Sequence, residues 1–398
     1  MFYSSDIMIK GFLFLLMIIL IGGALINCSG SDRELIDVSA IDHDRILSAA
    51  NRYLQEEPLT VTAYFCDRSA GSLNDYYSEG DYWWPDPENP DCPYIRRDGL
   101  TNPDNFVKHR QLLRRFSIQV PALVAAYKIT NKKKYADKAI EHLSAWFVAD
   151  ETRMNPNLLY AQAIKGRVTG RGIGIIDTIH LVEVAQSVII LDELHAIDAE
   201  MLNAIKKWFS EYLEWIFTHD YGIAERDNGN NHSTCWAMQV AAYAKLVGDK
   251  EKLDYCRNFY KTVLLPEQMS ANGSFPKELN RTKPYSYSLF NLDVMAMVCQ
   301  ILSTKRDNLW FYQTEDGRGI DNAVAFMFPY VKEKSQWPYP PDVMYFDHWP
   351  VRHPFLLFAG LAYNHLNYLD VWRTLEPDPE IDEVLRNFPI RQPVLWIN

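Results

Sequence analysis

Apolar and polar positions along the chain recur with the period of a helix. Between Asp198 and Thr218, Ile205, Trp208, Phe209, Tyr212 and Ile216 fall on one stripe, while Lys206, Lys207, Glu211 and Glu214 fall on the other. Asp198 is placed to cap the first turn of that helix. A second pattern repeats: Ala126 to Asn131 is followed by Lys132-Lys133-Lys134-Tyr135, and Ala242 to Asp249 by Lys250-Glu251-Lys252-Leu253. Each reads as helix, tight turn, helix, the beat of a helical hairpin repeat. Helices are predicted near 36–55, 106–129, 131–149, 174–195, 198–218, 232–247, 249–265, 285–303, 319–331 and 351–371. No run of short alternating strands competes, so the chain reads as all-α.

Two segments break the period. Residues 66–105 are rich in Gly, Pro, Asp, Asn, Tyr and Trp, and a stretch this long without a repeat is usually functional. Residues 332–350 behave similarly, with Trp337, Tyr339, Asp347, His348 and Trp349. Stacked hairpins would carry such loops around an open end, where a chain-like ligand could lie. From Glu376 onward the Pro-rich text suggests an extended tail docked on the body.

The first residues read differently. Lys10 precedes an apolar run from Gly11 to Ile26, too short and one-sided for a comfortable membrane span, so 1–28 is expected to be a signal peptide. Leu25-Ile26-Asn27-Cys28 has the look of a lipobox, which would make Cys28 a lipidated first residue at the bacterial cell envelope. An incidental Cys behind a cleaved signal is the plainer alternative. Roughly 370 of the 398 residues would then remain, 29–398, which suits one domain, a toroid or incomplete barrel of helical hairpins.

A net charge of −11 argues against nucleic acid but not against an anionic sugar polymer, which a local cluster of Arg and Lys can hold. The aromatic content, 23 Tyr, 19 Phe and 11 Trp, would suit a carbohydrate cleft as well as an aromatic core. Beyond Cys28, the five cysteines form neither a disulfide framework nor a zinc motif, although Cys66 and Cys92 could pair in an oxidising compartment. No metal or other cofactor is expected. A monomer is expected, touching membrane only through its anchor.

Two short stretches carry candidate chemistry. Asn230-Asn231-His232 opens a helix after the turn-like Asp227-Asn228-Gly229, and free amides at a helix start favour anions. Gly273 to Arg281 leads, six residues on, to Tyr287. An amide, an imidazole, a guanidinium and a phenol are what β-elimination in a 4-linked uronate needs. Negative charge grows on the C6 carboxylate as the C5 proton leaves, and Asn231, His232 and Arg281 can neutralise it. A Tyr whose pKa is lowered by a nearby Arg can take H5 and protonate O4 when both share one face of the ring. Tyr287 is assigned that role; with H5 and O4 on opposite faces, His232 becomes the base and Tyr287 keeps the acid role.

With these residues stands a longer set of marks: Arg68-Ser69-Ala70-Gly71, Asn74 through Pro87 with Tyr77 and Trp83, Tyr160-Ala161-Gln162, and Gly170-Arg171-Gly172-Ile173-Gly174. Together the sequence resembles the alginate lyase superfamily of (α/α) toroid polysaccharide lyases, families five and thirty-eight above all. The resemblance implies that Asn231, His232 and Arg281 engage the carboxylate, that Tyr287 transfers protons, that the 66–105 loop overhangs the cleft, and that Gln162 and Arg171 line it. It leaves mannuronate, guluronate and glucuronate chains open as substrates.

Plainer roles compete at several positions. His232 could merely cap its helix, and Tyr285 ranks behind Tyr287 on the same segment. Trp83 and Trp84 could stack on sugars, with one of the pair facing the core. Arg171 could equally be an ion-pair partner of Asp177. Trp349 and Arg352 rank as binding candidates ahead of His348 and His353, and His180 reads as core. Other reactions are conceivable too. Asp75, Asp81 and Asp177 could supply the carboxylate pair of a glycoside hydrolase, and a non-catalytic glycan-binding lipoprotein is a third reading.

Overall fold

In the computed structural model, which describes residues 35–397, every periodic segment forms helix. The predicted leader and lipobox lie outside the described residues. The order opens with α1 (Val38–Tyr53), whose first turn is capped by Asp37 accepting from the Ala40 amide. Three short strands follow, β1 (Tyr77–Glu79), β2 (Trp83–Trp84) and β3 (Ile95–Arg96), then the hairpin of α2 (Lys108–Thr130) and α3 (Lys133–Phe147). Asn131 turns that hairpin at a φ of 54°, a left-handed conformation that Asn tolerates. β4 (Tyr160–Ala163) precedes α4 (Leu181–Glu193), α5 (Ala199–Thr218), the short α6 (Asp220–Arg226) and α7 (Asn231–Val247). Asp198 caps α5 as expected, accepting from the Met201 amide. Gly248, at φ 80°, turns α7 into α8 (Lys250–Phe259). The remainder comprises α9 (Leu265–Gln268), α10 (Pro276–Leu279), α11 (Pro284–Leu302), α12 (Ile320–Lys332), α13 (Pro354–Ala362), α14 (Leu366–Thr374) and α15 (Asp382–Arg386).

These helices form two layers. α2, α4, α7, α11 and α13 pack one against the next as an inner arc, and α1, α3, α5, α8, α12 and α14 pack outside them. Composition dictates the assignment. Every residue of α11 except Gln300 is buried, as a helix covered on all sides requires, whereas α5 buries only one stripe. This is the (α/α) toroid expected from the hairpin repeat. Strands are confined to the loops: β1 pairs in parallel with β4, and β2 with β3 forms an antiparallel ribbon inside the 66–105 segment.

The tail is docked as expected. The buried Glu183 carboxylate on α4 accepts from the Arg391 and Gln392 amides, Gln186 donates to the Leu395 carbonyl, and Lys128 donates to the Val394 carbonyl. Several boundaries differ from expectation. The predicted helix 351–371 is two helices, α13 and α14, because Pro354 sets the start and Asn364, at φ 53°, breaks the run. The predicted 174–195 helix begins as a 3₁₀ stretch, Gly172–Thr178. The five cysteines beyond Cys28 are all free; Cys66 is buried while Cys92 is exposed, so the considered pair is not formed. Among the described residues no single helix is long and apolar enough to cross a membrane.

Candidate active site

A cavity of about 410 Å³ opens where α7, α11 and the 66–105 segment meet. Asn231, His232, Arg281 and Tyr287, drawn from two distant stretches, all line it, as do Trp83, Gln162 and Arg171. Four arginines, 96, 171, 281 and 386, face it against two carboxylates, Asp81 and Asp177, so the wall is cationic within an acidic protein.

The start of α7 fixes the first pair. Asn230 caps the helix by accepting from the His232 amide at 3.0 Å, which turns the next two side chains toward the opening. Glu278 on α10 accepts from the Asn231 amide at 2.8 Å and from its Nδ2 at 2.7 Å. Glu225 on α6 lies 2.7 Å from Nδ1 of His232. Both carboxylates are buried, which raises their pKa against the lowering effect of Asn231 or His232. The second Glu225 oxygen is buried without a partner among the described residues, so His232 is the main compensation for that charge. An imidazole donating Nδ1–H to Glu225 has Nε2 left for the cavity.

The second pair sits at the start of α11. The Arg281 guanidinium lies 4.6 Å from the centre of the Tyr287 ring. Tyr287 Oη is 2.8 Å from Tyr82 Oη, and Arg386 Nη2 donates to Tyr82 at 3.3 Å. A guanidinium can only donate, so Tyr82 accepts from Arg386 and can direct its own proton at Tyr287. Here the sequence expectation needs correction. Burial, together with Tyr82, pushes the Tyr287 phenol up, and the opposing pull of Arg281 does not overcome it.

Arg281 itself is engaged. Its Nη2 and Nε donate to Asp98 at 2.9 and 3.2 Å, Arg96 donates to the same carboxylate at 2.6 Å, and Thr282 at 3.0 Å. Burial raises the Asp98 pKa, and the Arg281 contact, with Arg96 and Thr282, outweighs it to leave a value of about 2. Asp98 belongs to the 66–105 segment, which therefore reaches over the cavity and fastens there.

The far wall is a polar network. Gln162, at φ 50°, donates to Asp177 at 3.2 Å and accepts from Arg171 at 3.0 Å. Arg171 also donates to the Gln162 carbonyl at 3.0 Å, and burial lowers its pKa to about 10. It makes no hydrogen bond to Asp177, which instead accepts from Ser78 at 2.5 Å and Arg110 at 3.3 Å.

Other sequence candidates lie elsewhere, each for a visible reason. Tyr285 is two residues from Tyr287 but faces α12; its hydroxyl donates to the Tyr330 carbonyl at 2.9 Å and its ring meets Trp337. Trp349 is buried and stacks on His353, whose Nδ1 is 2.7 Å from the buried Asp293. Arg352 donates to Asp42 at 2.6 Å and covers Trp372. Asn74 donates to the Arg153 carbonyl at 2.8 Å. Arg68 and Tyr77 both bond Glu79, at 2.6 and 3.0 Å, and line a separate groove. His180 is core, as expected, with Nε2 at 3.1 Å from the Arg386 carbonyl. The carboxylates considered for hydrolysis are occupied: Asp75 accepts from Ser72 and Asn155, Asp81 pairs with Arg110 and Arg386, and Asp177 is bound as above.

Tyr82, Asp98, Glu225, Glu278 and Arg386 were absent from the sequence candidates for this reaction. Tyr82 stands inside a quoted motif, and Glu278 three residues before Arg281, so adjacency could have raised them. Arg386 comes from the tail, roughly a hundred residues beyond Tyr287, with no local signal.

Comparison with known proteins gives the family. The family described as alginate lyase matches residues 60–337. A solved alginate lyase from Bacteroides ovatus is similar at 30% identity and a TM-score of 0.77, covering 91% of this chain and 94% of its own. Alginate lyase A1-III from Sphingomonas species A1 shares the fold, at 16% identity and a TM-score of 0.55, covering 89% and 94%. No curated protein matches the chain. The family match makes the protein a polysaccharide lyase. The chain belongs to the alginate lyase family.

Proposed function

We propose that the protein cleaves a 4-linked uronate polymer, alginate first among them, by β-elimination at this cavity. Asn231, His232 and Arg281 bind the C6 carboxylate and hold the charge that grows on it as H5 leaves. Tyr287 takes H5, the C4–O4 bond breaks as the C4–C5 double bond forms, and the same phenol returns the proton to O4. For the opposite ring stereochemistry, Nε2 of His232 takes H5 and Tyr287 remains the acid. The observation that carries the reading is the convergence of Asn231, His232, Arg281 and Tyr287 on one cationic cavity, where the Arg281 guanidinium lies 4.6 Å from the Tyr287 ring and pulls its phenol toward the phenolate a base requires. The Asp98 carboxylate held by Arg281 supports carboxylate binding at that guanidinium. Two A1-III variants are described as complexed with tetrasaccharide, which favours an oligosaccharide ligand on this fold.

The test is a panel of polymannuronate, polyguluronate and glucuronan, monitored by absorbance of the new double bond. The reading predicts an unsaturated product from at least one, alginate blocks first. Silence on all three would sink it, and glucuronan alone would select that substrate. Export and lipid anchoring through Cys28 belong to the same proposal. Lipid labelling in a bacterial host should disappear in Cys28→Ala.

A further inference from the structure

Beside the catalytic cavity lies a groove of about 690 Å³ that the elimination step does not use. Its floor is the turn after β4, where Ile164 bridges Val168 and Gly166, at φ 75°, packs against Pro93. That turn is therefore braced rather than loose. Its side chains are cationic: Lys165 lies 5.6 Å from the Tyr94 ring, and Arg167 lies 5.1 Å from the Trp83 ring while its Nε donates to the Tyr94 carbonyl at 2.7 Å. Arg171, on the cavity side, lies 5.8 Å from the same Trp83 ring. Trp83 is thus approached by one guanidinium from the groove and one from the cavity. Gln162 and Arg171 line the cavity, and their chain neighbours Ala163 and Gly170 line the groove, so the two adjoin along one segment.

Charge decides what this groove can hold. Arg68, Lys165 and Arg167 face it against Glu79 alone, and Arg68 is the residue that neutralises Glu79. Lys165 and Arg167 remain uncompensated by any ion pair among the described residues. Both are exposed in a chain of net charge −11. A polymer bearing a carboxylate on every unit cannot end its contacts at the scissile bond, because the units on either side carry the same charge.

We propose that this groove is a remote anion subsite, in which Lys165 and Arg167 hold carboxylates of uronate units beyond those in the catalytic cavity. It rests on the uronate reading of the cavity and adds a dependence on chain length. Long chains reach Lys165 and Arg167; short ones fill the cavity alone.

The experiment measures binding without turnover, in the Tyr287→Phe background, using hexamannuronate and trimannuronate as probes. Adding Lys165→Ala with Arg167→Gln should weaken hexamer binding on the order of tenfold, two exposed charge contacts' worth, and trimer binding less than twofold. Thermal unfolding of the two chains should agree, since both side chains are at the surface. Equal effects on both lengths, or none on the hexamer, would overturn the subsite. Turnover by the native chain is read separately. Hexamer binding that depends on Lys165 and Arg167, with no turnover on any uronate, would sink the lyase reading and leave the subsite standing.

Discussion

The two sides of the cavity hold their working groups in opposite ways. On the α7 side, Asn231 and His232 are each fixed by a carboxylate, Glu278 or Glu225, buried where no substrate can replace it. On the loop side, Arg281 is held by Asp98, a partly exposed carboxylate of the same chemical class as the proposed ligand. Buried partners set orientation and tautomer permanently. An exchangeable partner keeps a cation paired until something of like charge arrives. The comparison separates groups that are preorganised from a group that is kept in reserve.

The largest expected effect lies where both sides meet. Tyr287→Phe removes the proposed proton carrier and should lower kcat by about 10³–10⁴, with substrate still bound in calorimetric titration. Breaking the preorganised side comes next. Glu225→Gln keeps the volume but removes the charge behind His232, and kcat should fall about 10–100-fold, with the pH profile displaced and KM within a few-fold. An unchanged profile would reduce Glu225 to packing. Tyr82→Phe, which takes the neighbouring hydroxyl from Tyr287 and leaves the ring, should lower kcat about tenfold through lost positioning and move the limb that reports Tyr287 ionisation downward, because Tyr82 helps hold that phenol up.

The exchangeable side should yield the smallest change. Asp98→Asn weakens the clasp and should alter KM by less than about fivefold with kcat nearly intact. Acid titration sharpens the point. The Asp98 pKa falls from 3.8 to about 2 on folding, so its contribution is complete above pH 4 and is lost as pH drops through 2. After screening it is worth about 1 kcal/mol, and thermal melts of native and Asp98→Asn chains should converge toward pH 2.

Much of this was legible in the sequence. Helical period and caps such as Asp198 located the hairpins because helix formation is local, and the Asn231, His232, Arg281 and Tyr287 set followed from the demands of elimination. What escaped depends on long-range packing. Trp349 and Arg352 carry the chemistry of a binding site yet face the core and Asp42, and sequence spacing does not say which way a side chain turns. Tyr285 and Tyr287 differ by two positions on one helix, about 200° of rotation, which separates the cavity from the α12 contact. Arg386 and Asp98 reach the site only through the docked tail and the folded loop.

The tail has one more implication. Arg386 is supplied by a segment pinned beyond it through Glu183, Gln186 and Lys128. A polypeptide stopped after α14 would retain all four proposed reacting side chains, yet the Tyr82 hydroxyl would lose the guanidinium that donates to it. The same cut would strip Phe388, Ile390, Val394 and Leu395 from the core and leave the Glu183 carboxylate buried without its amide donors, so proteolytic trimming at this end would cost stability and the site together.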